Sequence, residues 1–175
     1  MTLIDLSGEI PDDPFAWLLE AWSARRWTPR PGAVTVTGWT AEAVVVEGRP
    51  GWVLQRQATP GEAVHGSGEA FLGPDLAGGS RVLVNRETNG AAGVDLAYAN
   101  VPFIWSDAGW GLHIDTGAPV LMDLSDDYTV LVLDPDAAFH TMTGSPAEMI
   151  AEHTERTGRA PLWPDWAYGV WMSRA

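Results

Sequence analysis

Apolar residues along this chain recur in two rhythms, and the change from one to the other divides it. Phe15, Leu18, Leu19 and Trp22 follow the i, i+3, i+4, i+7 spacing of one helix face. Asp12 or Asp13 can cap the start of that face and Pro14 suits the first helical position, so the spacing predicts a helix running to about Trp27. Thr28-Pro29-Arg30-Pro31-Gly32 then stops it, because two prolines and a glycine cannot continue a helix. From Ala33 the apolar residues come in short runs rich in Val, Thr, Trp and Leu, set apart by Gly, Pro and Asp. These runs are Ala33 to Thr37, Glu42 to Glu47, Gly51 to Arg56, Arg81 to Asn85, Asn100 to Ser106, Gly109 to Asp115, Pro119 to Leu124, Tyr128 to Asp134 and Ala138 to Met142. Such a succession predicts a mainly β fold, an antiparallel β-sandwich. In one run Trp110, Leu112 and Ile114 alternate with Gly111, His113 and Asp115, the period of a strand with one buried face.

The helical rhythm returns at Gly144-Ser145-Pro146-Ala147-Glu148, where Ser145 caps, Pro146 takes the first position and Glu148 completes a capping box; Gly158 closes the helix. After Arg159-Ala160-Pro161-Leu162-Trp163-Pro164 comes an apolar, strand-like run, Trp166 to Met172, whose edge nothing nearby would pair. The pattern therefore divides the chain into an N-terminal helical segment (1–32), a sandwich (33–143), a linker helix with a proline-rich connection (144–165) and a final strand (166–175).

Charge narrows the function. Ten Arg and no Lys stand against 23 Asp plus Glu in 175 residues, a formal net charge of −13. The largest basic cluster, Arg25-Arg26, is too small for a phosphate-binding surface, which argues against nucleic-acid and anionic-lipid partners. There is no cysteine, so disulfides, thiolate metal ligands and thiol nucleophiles are excluded. No run approaches the length of a membrane span, and the N-terminus lacks a basic segment followed by an apolar one, so a cytoplasmic location is expected.

Candidate chemistry is sparse. His65, His113, His140 and His153 have no metal-ligand spacing among them and read as surface or hydrogen-bonded histidines; no metal and no cofactor is expected. Asp126-Asp127 and Asp134-Pro135-Asp136 flank strands as turn formers rather than as a catalytic pair. Gly66-Ser67-Gly68-Glu69 lacks the helix a phosphate loop needs and reads as a tight turn with a buried acidic side chain. Ten Trp serve either to fill a core or to stack on sugar rings, and each taken singly reads as core.

Three blocks, in order, resemble glycoside hydrolase family 31, the α-glucosidase and α-xylosidase family. The first is His65-Gly66-Ser67-Gly68-Glu69-Ala70-Phe71. The second is Asn85-Arg86-Glu87 with Ala97-Tyr98-Ala99-Asn100-Val101-Pro102-Phe103-Ile104 and Gly109-Trp110-Gly111-Leu112. The third is Thr157-Gly158-Arg159-Ala160-Pro161-Leu162-Trp163-Pro164-Asp165-Trp166-Ala167-Tyr168-Gly169. The resemblance covers roughly Val64 to Arg174 and implies a galactose-mutarotase-like sandwich, shorter before Gly66 than is usual in the family, with Trp166 to Met172 as the first strand of a truncated (β/α)8 barrel.

The resemblance further implies a non-catalytic N-terminal portion of an α-glycosidase that supports the catalytic barrel. Retaining hydrolysis needs two carboxylates, which in the family follow later barrel strands, so no residue here is expected to be catalytic. By the same resemblance, Asn85, Arg86 and Glu87 form a substrate-binding loop over the barrel mouth. The family usually has Asp where this chain has Glu87, one methylene longer. An α-linked glucoside or xyloside would then bind only together with a barrel, and the final strand would drive self-association. Two other readings stay open: a free-standing carbohydrate-binding sandwich that stacks sugars on surface Trp, and a partner that docks on an intact homologue by strand addition.

Overall fold

The computed structural model describes residues 16–69, 73–84 and 99–170. The first helix, α1, spans Ala16–Ser23 and stops short of Trp27. Its end is a left-handed closing turn: Arg25 has φ +52°, its amide donates to Trp22 O at 3.0 Å, and the Arg26 amide donates to Ala21 O at 2.8 Å. That paired closure uses up the last helical carbonyls and turns the chain into a strand.

Ten strands follow: β1 Thr28–Val36, β2 Trp39–Val46, β3 Arg49–Arg56, β4 Val64–Gly68, β5 Ser80–Leu83, β6 Asn100–Ser106, β7 Trp110–Asp115, β8 Val120–Asp123, β9 Tyr128–Val132 and β10 Ala138–Thr143. They form a six-stranded sheet, ordered β1-β2-β3-β9-β8-β5, and a four-stranded sheet, ordered β10-β7-β6-β4. Every pairing among the described strands is antiparallel, as the sequence pattern predicts.

Two segments depart from the sequence reading. Pro29 and Pro31, expected to lie between elements, belong to β1, where a register shift falls between Pro29 and Ala33. β1 is an edge strand, so the missing N–H donors of the prolines deprive no neighbour. Gly66-Ser67-Gly68, read as a turn, lies inside β4. Gly66, Ser67 and Gly68 have φ of 109°, 64° and 91°, and the register against β6 shifts between Gly66 and Gly68. A Cβ at Gly66 would fall on the Phe103 carbonyl oxygen, so glycine is what lets β4 bulge yet stay paired. The acid after it, Glu69, is exposed; the buried acid is Glu62.

The inner faces of the two sheets close over one core that contains Trp39, Trp52, Leu54, Ile104, Trp110, Leu112, Met122 and Val130. Trp110, Leu112 and Ile114 of β7 belong to it as the alternation predicts, but the strand is not half-buried: Gly111 and His113 on its other face are buried as well. The six-stranded sheet is also apolar on its outer face, where Val44, Val46, Val53, Leu121 and Leu131 pack against Leu18, Ala21 and Trp22 of α1. An Arg25–Asp123 ion pair at 2.6 Å ties the end of the helix to β8. The second helix, α2 (Pro146–Thr157), carries the expected Ser145–Glu148 capping box and seats Met149 against Phe103 and Met142 on the outer face of the four-stranded sheet. The order of layers is helix, sheet, sheet, helix.

Glu62 is the polar anchor of the inner core. Its carboxylate accepts from Ser106 Oγ at 2.6 Å, Trp110 Nε1 at 2.7 Å and the Thr59 amide at 2.7 Å. Burial pushes its pKa up, but the hydrogen bonds from Ser106, Thr59, Trp110 and Tyr128 together outweigh burial and hold it below the ordinary carboxylate value. The network joins the loop before β4 to β6, β7 and β9.

These contacts set two expectations for stability. Leu18→Ala removes a fully buried side chain from the seam between α1 and the sheet, and should cost about 2 to 5 kcal/mol in urea unfolding. Glu62→Gln replaces a charged acceptor with a neutral one and should cost about 1 to 3 kcal/mol at neutral pH. A carboxyl with a depressed native pKa adds stability above its unfolded value and loses it as pH falls, so the deficit of the variant should shrink between about pH 7 and about pH 3.5. Unfolding midpoints of both proteins at the two pH values check this.

Candidate functional site

Asn85, Arg86 and Glu87 lie outside the described residues, as does the glycine-rich stretch Asn89 to Gly93. The structure does place the two ends of that connection. Val84 follows β5 at the edge of the six-stranded sheet, and Asn100 opens β6 in the four-stranded one. An open cleft of about 270 Å³ lies at this end of the sandwich, lined by Leu83, Val84, Asn100, Pro102, Thr116 and Pro119. None of these described lining residues carries a charge.

A second open cleft, of about 440 Å³, is lined by residues that include Gln57, Thr59, Glu62, Asp126, Asp127 and Tyr128. It is the acidic depression of the molecule, and its chemistry is limited. Glu62 is engaged by its four donors, and burial, with Glu62 facing it, raises the Tyr128 hydroxyl far above its ordinary range. Among the described residues no group of three or more His, Asp or Glu could hold a metal ion.

The four histidines, scattered in sequence, gather on the outer side of the four-stranded sheet. His65 of β4 donates from Nδ1 to Pro74 O at 2.7 Å and packs on Trp105 at 4.4 Å. Phe103, His113 and His140 are register partners across β6, β7 and β10, which lays the three rings in one row. His153 of α2 rests on that row, stacked on Phe103 at 4.0 Å and edge-on to His113 at 4.8 Å. His65 fits the reading of a hydrogen-bonded histidine. His113 does not, since it is buried and its Nδ1 has no partner. Sequence spacing could not find this cluster, because strand register and helix docking create it.

The tryptophans sort in the direction expected. Trp22, Trp39, Trp52 and Trp110 are buried, and among the described residues the exposed ones are Trp163 and Trp166. Both lie in the segment after α2, where Asp165–Tyr168 forms a 3-10 turn closed by the Ala167 amide on Pro164 O at 2.8 Å. The strand expected from Trp166 is thus absent up to Val170; a strand needs a neighbour for its N–H and C=O groups, and a local turn supplies its own bond instead. Leu162, Trp166 and Val170 stand 95 %, 81 % and 92 % exposed.

Comparison with known proteins gives these features their context. No family model matches the chain. An α-xylosidase of Emericella nidulans is 31 % identical over 131 residues, which is 71 % of this chain and 16 % of that protein. The α-xylosidase XylQ of Lactiplantibacillus pentosus is 26 % identical over 117 residues, 64 % of this chain and 15 % of that protein. In fold, a cycloalternan-degrading enzyme from Trueperella pyogenes superposes with a TM-score of 0.70 at 22 % identity, over 82 % of this chain and 22 % of that one. A Kfla1895 mutant in complex with cyclobis-(1→6)-α-nigerosyl gives 0.71 at 23 % identity, over 81 % of this chain and 22 % of its own. The chain spans about a sixth of the length of the curated relatives it matches. The likeness to glycoside hydrolase family 31 that the motifs carry therefore extends over most of this chain, in sequence and in fold, and over a small share of each enzyme matched.

Proposed function

We propose that the chain serves as a non-catalytic, N-terminal portion of a family 31 α-glycosidase, where it supports a catalytic barrel and presents residues 85–87 to the substrate. One observation carries the reading: 131 residues align at 31 % identity with an α-xylosidase of which they make up only 16 %. The chemistry of the described surface supports it. Of the carboxylates among the described lining of the clefts, Glu62 is held by its donors and Asp126 and Asp127 are neighbours in the turn before β9, and five of the eight exposed large apolar residues described, Leu162, Trp163, Trp166, Tyr168 and Val170, follow α2. Because the two curated relatives described above are α-xylosidases, an α-linked xyloside is favoured over a glucoside. No described helix is long and apolar enough to cross a membrane. A free-standing sugar-binding role gains no support from the sandwich, whose tryptophans fill its cores.

Asn85, Arg86 and Glu87 are the residues we assign to substrate contact, on the sequence resemblance and on the exit of their segment beside the cleft near Val84. The exposed Leu162, Trp166 and Val170 are the surface we assign to the barrel, or to self-association where no barrel is present.

Three outcomes are expected. The chain alone should hydrolyse no aryl α-xyloside or α-glucoside, and activity that co-purifies with it would overturn the assignment. In a protein that continues this chain into a family 31 barrel, Glu87→Ala should lower kcat/KM by about 1 to 3 kcal/mol while Glu87→Asp retains it; an unchanged kcat/KM for Glu87→Ala removes the residue from the site. Deletion of residues 160–175 should raise the monomer fraction seen by light scattering at high concentration, since a large exposed apolar patch is removed.

A further inference from the structure

The seam between α2 and the four-stranded sheet is built from ionisable rings. Phe103, His113 and His140 make its floor and His153 its roof, with Met142 and Met149 beside them. The Nδ1 atoms of His113 and His153 are both shut off from solvent, and neither has a hydrogen-bond partner. A neutral imidazole tolerates this, because an unprotonated Nδ1 needs no acceptor. An imidazolium does not: it presents a second N–H with nothing to receive it and places a charge in the seam.

We infer that α2 is a pH-sensitive latch, held down while His113 and His153 are neutral and released from the sheet when they are protonated. The charged surroundings point the same way. From its own strand His113 faces Asp115, from β10 His140, and from α2 His153 and Arg156, while β6 offers the uncharged Phe103. Burial, then the neighbouring histidines, lower the pKa of His113, Arg156 adds to them, and Asp115 alone opposes; burial lowers that of His153. A histidine whose native pKa is depressed contributes stability above its unfolded value near 6.5, and that contribution is lost as pH falls below it. Glu62, Asp75 and Glu148, including the carboxylate that caps α2, have pKa values below their ordinary carboxylate ones and stay charged. The latch would free α2 with the exposed segment behind it, the surface that includes Trp163 and Trp166.

Hydrogen exchange of the full chain tests this, with rates corrected for the intrinsic effect of pH. Between about pH 7.5 and about pH 5.5 the protection of the α2 amides should fall by roughly tenfold or more, while amides of β2, β3 and β9 keep theirs. His113→Phe and His153→Phe, each checked for an intact thermal transition, should each reduce that loss, and the double variant should abolish it. Protection of α2 that is unchanged over this range, or a loss that persists undiminished in a folded double variant, overturns the inference. So does a uniform loss in all strands, which would mark global acid unfolding.

Discussion

A six-stranded sheet that is apolar on both faces cannot exist in water by itself, and the rest of this molecule is arranged around that constraint. Its inner face is closed by the four-stranded sheet and its outer face by eight residues of helix, Ala16–Ser23. An antiparallel sheet commonly leaves one side to solvent. Here Val44, Val46, Val53, Leu121 and Leu131 forbid it, and a short helix that would be marginal in isolation is held by the surface it covers. The left-handed turn at Arg25, which swings the chain from α1 into β1, and the Arg25–Asp123 pair follow from the same need.

The smaller sheet solves the equivalent problem differently. Its outer face is narrower and mixed, with aromatic and sulfur-containing side chains interleaved with imidazoles. The two helices thus close the same kind of seam with different materials: one with aliphatic and indole groups that ignore pH, the other partly with rings that titrate.

Strand existence was legible in the sequence wherever a run was apolar and bounded by Gly, Pro or Asp, as from β6 through β10. β4 was hidden because two of its five residues are glycine and its pairing bulges, so neither periodicity nor propensity marked it. The prolines of β1 read as a stop because propensity does not know which strand will lie at an edge. The capping box at Ser145 was visible because all its partners lie within four residues. The histidine cluster and the Glu62 network were not, since they depend on pairing across strands and on contacts as long as Glu62 to Trp110. The assignment of Asn85 to Glu87 rests on motif resemblance alone, and those residues lie outside the described ones; the structure describes β5 before them and β6 after them.

That Val84 lies beside one sheet and Asn100 opens a strand of the other has a consequence for how such a domain can diverge. β5 and β6 lie in separate sheets and share no register, unlike β2 and β3, whose two-residue link at Glu47-Gly48 has both φ values positive and dictates the pairing. Closure entropy grows only with the logarithm of length, at about 0.6 kcal/mol for each doubling. A change of length between β5 and β6 therefore disturbs no pairing within either sheet, so natural selection can vary that stretch of chain without renegotiating the architecture on either side of it.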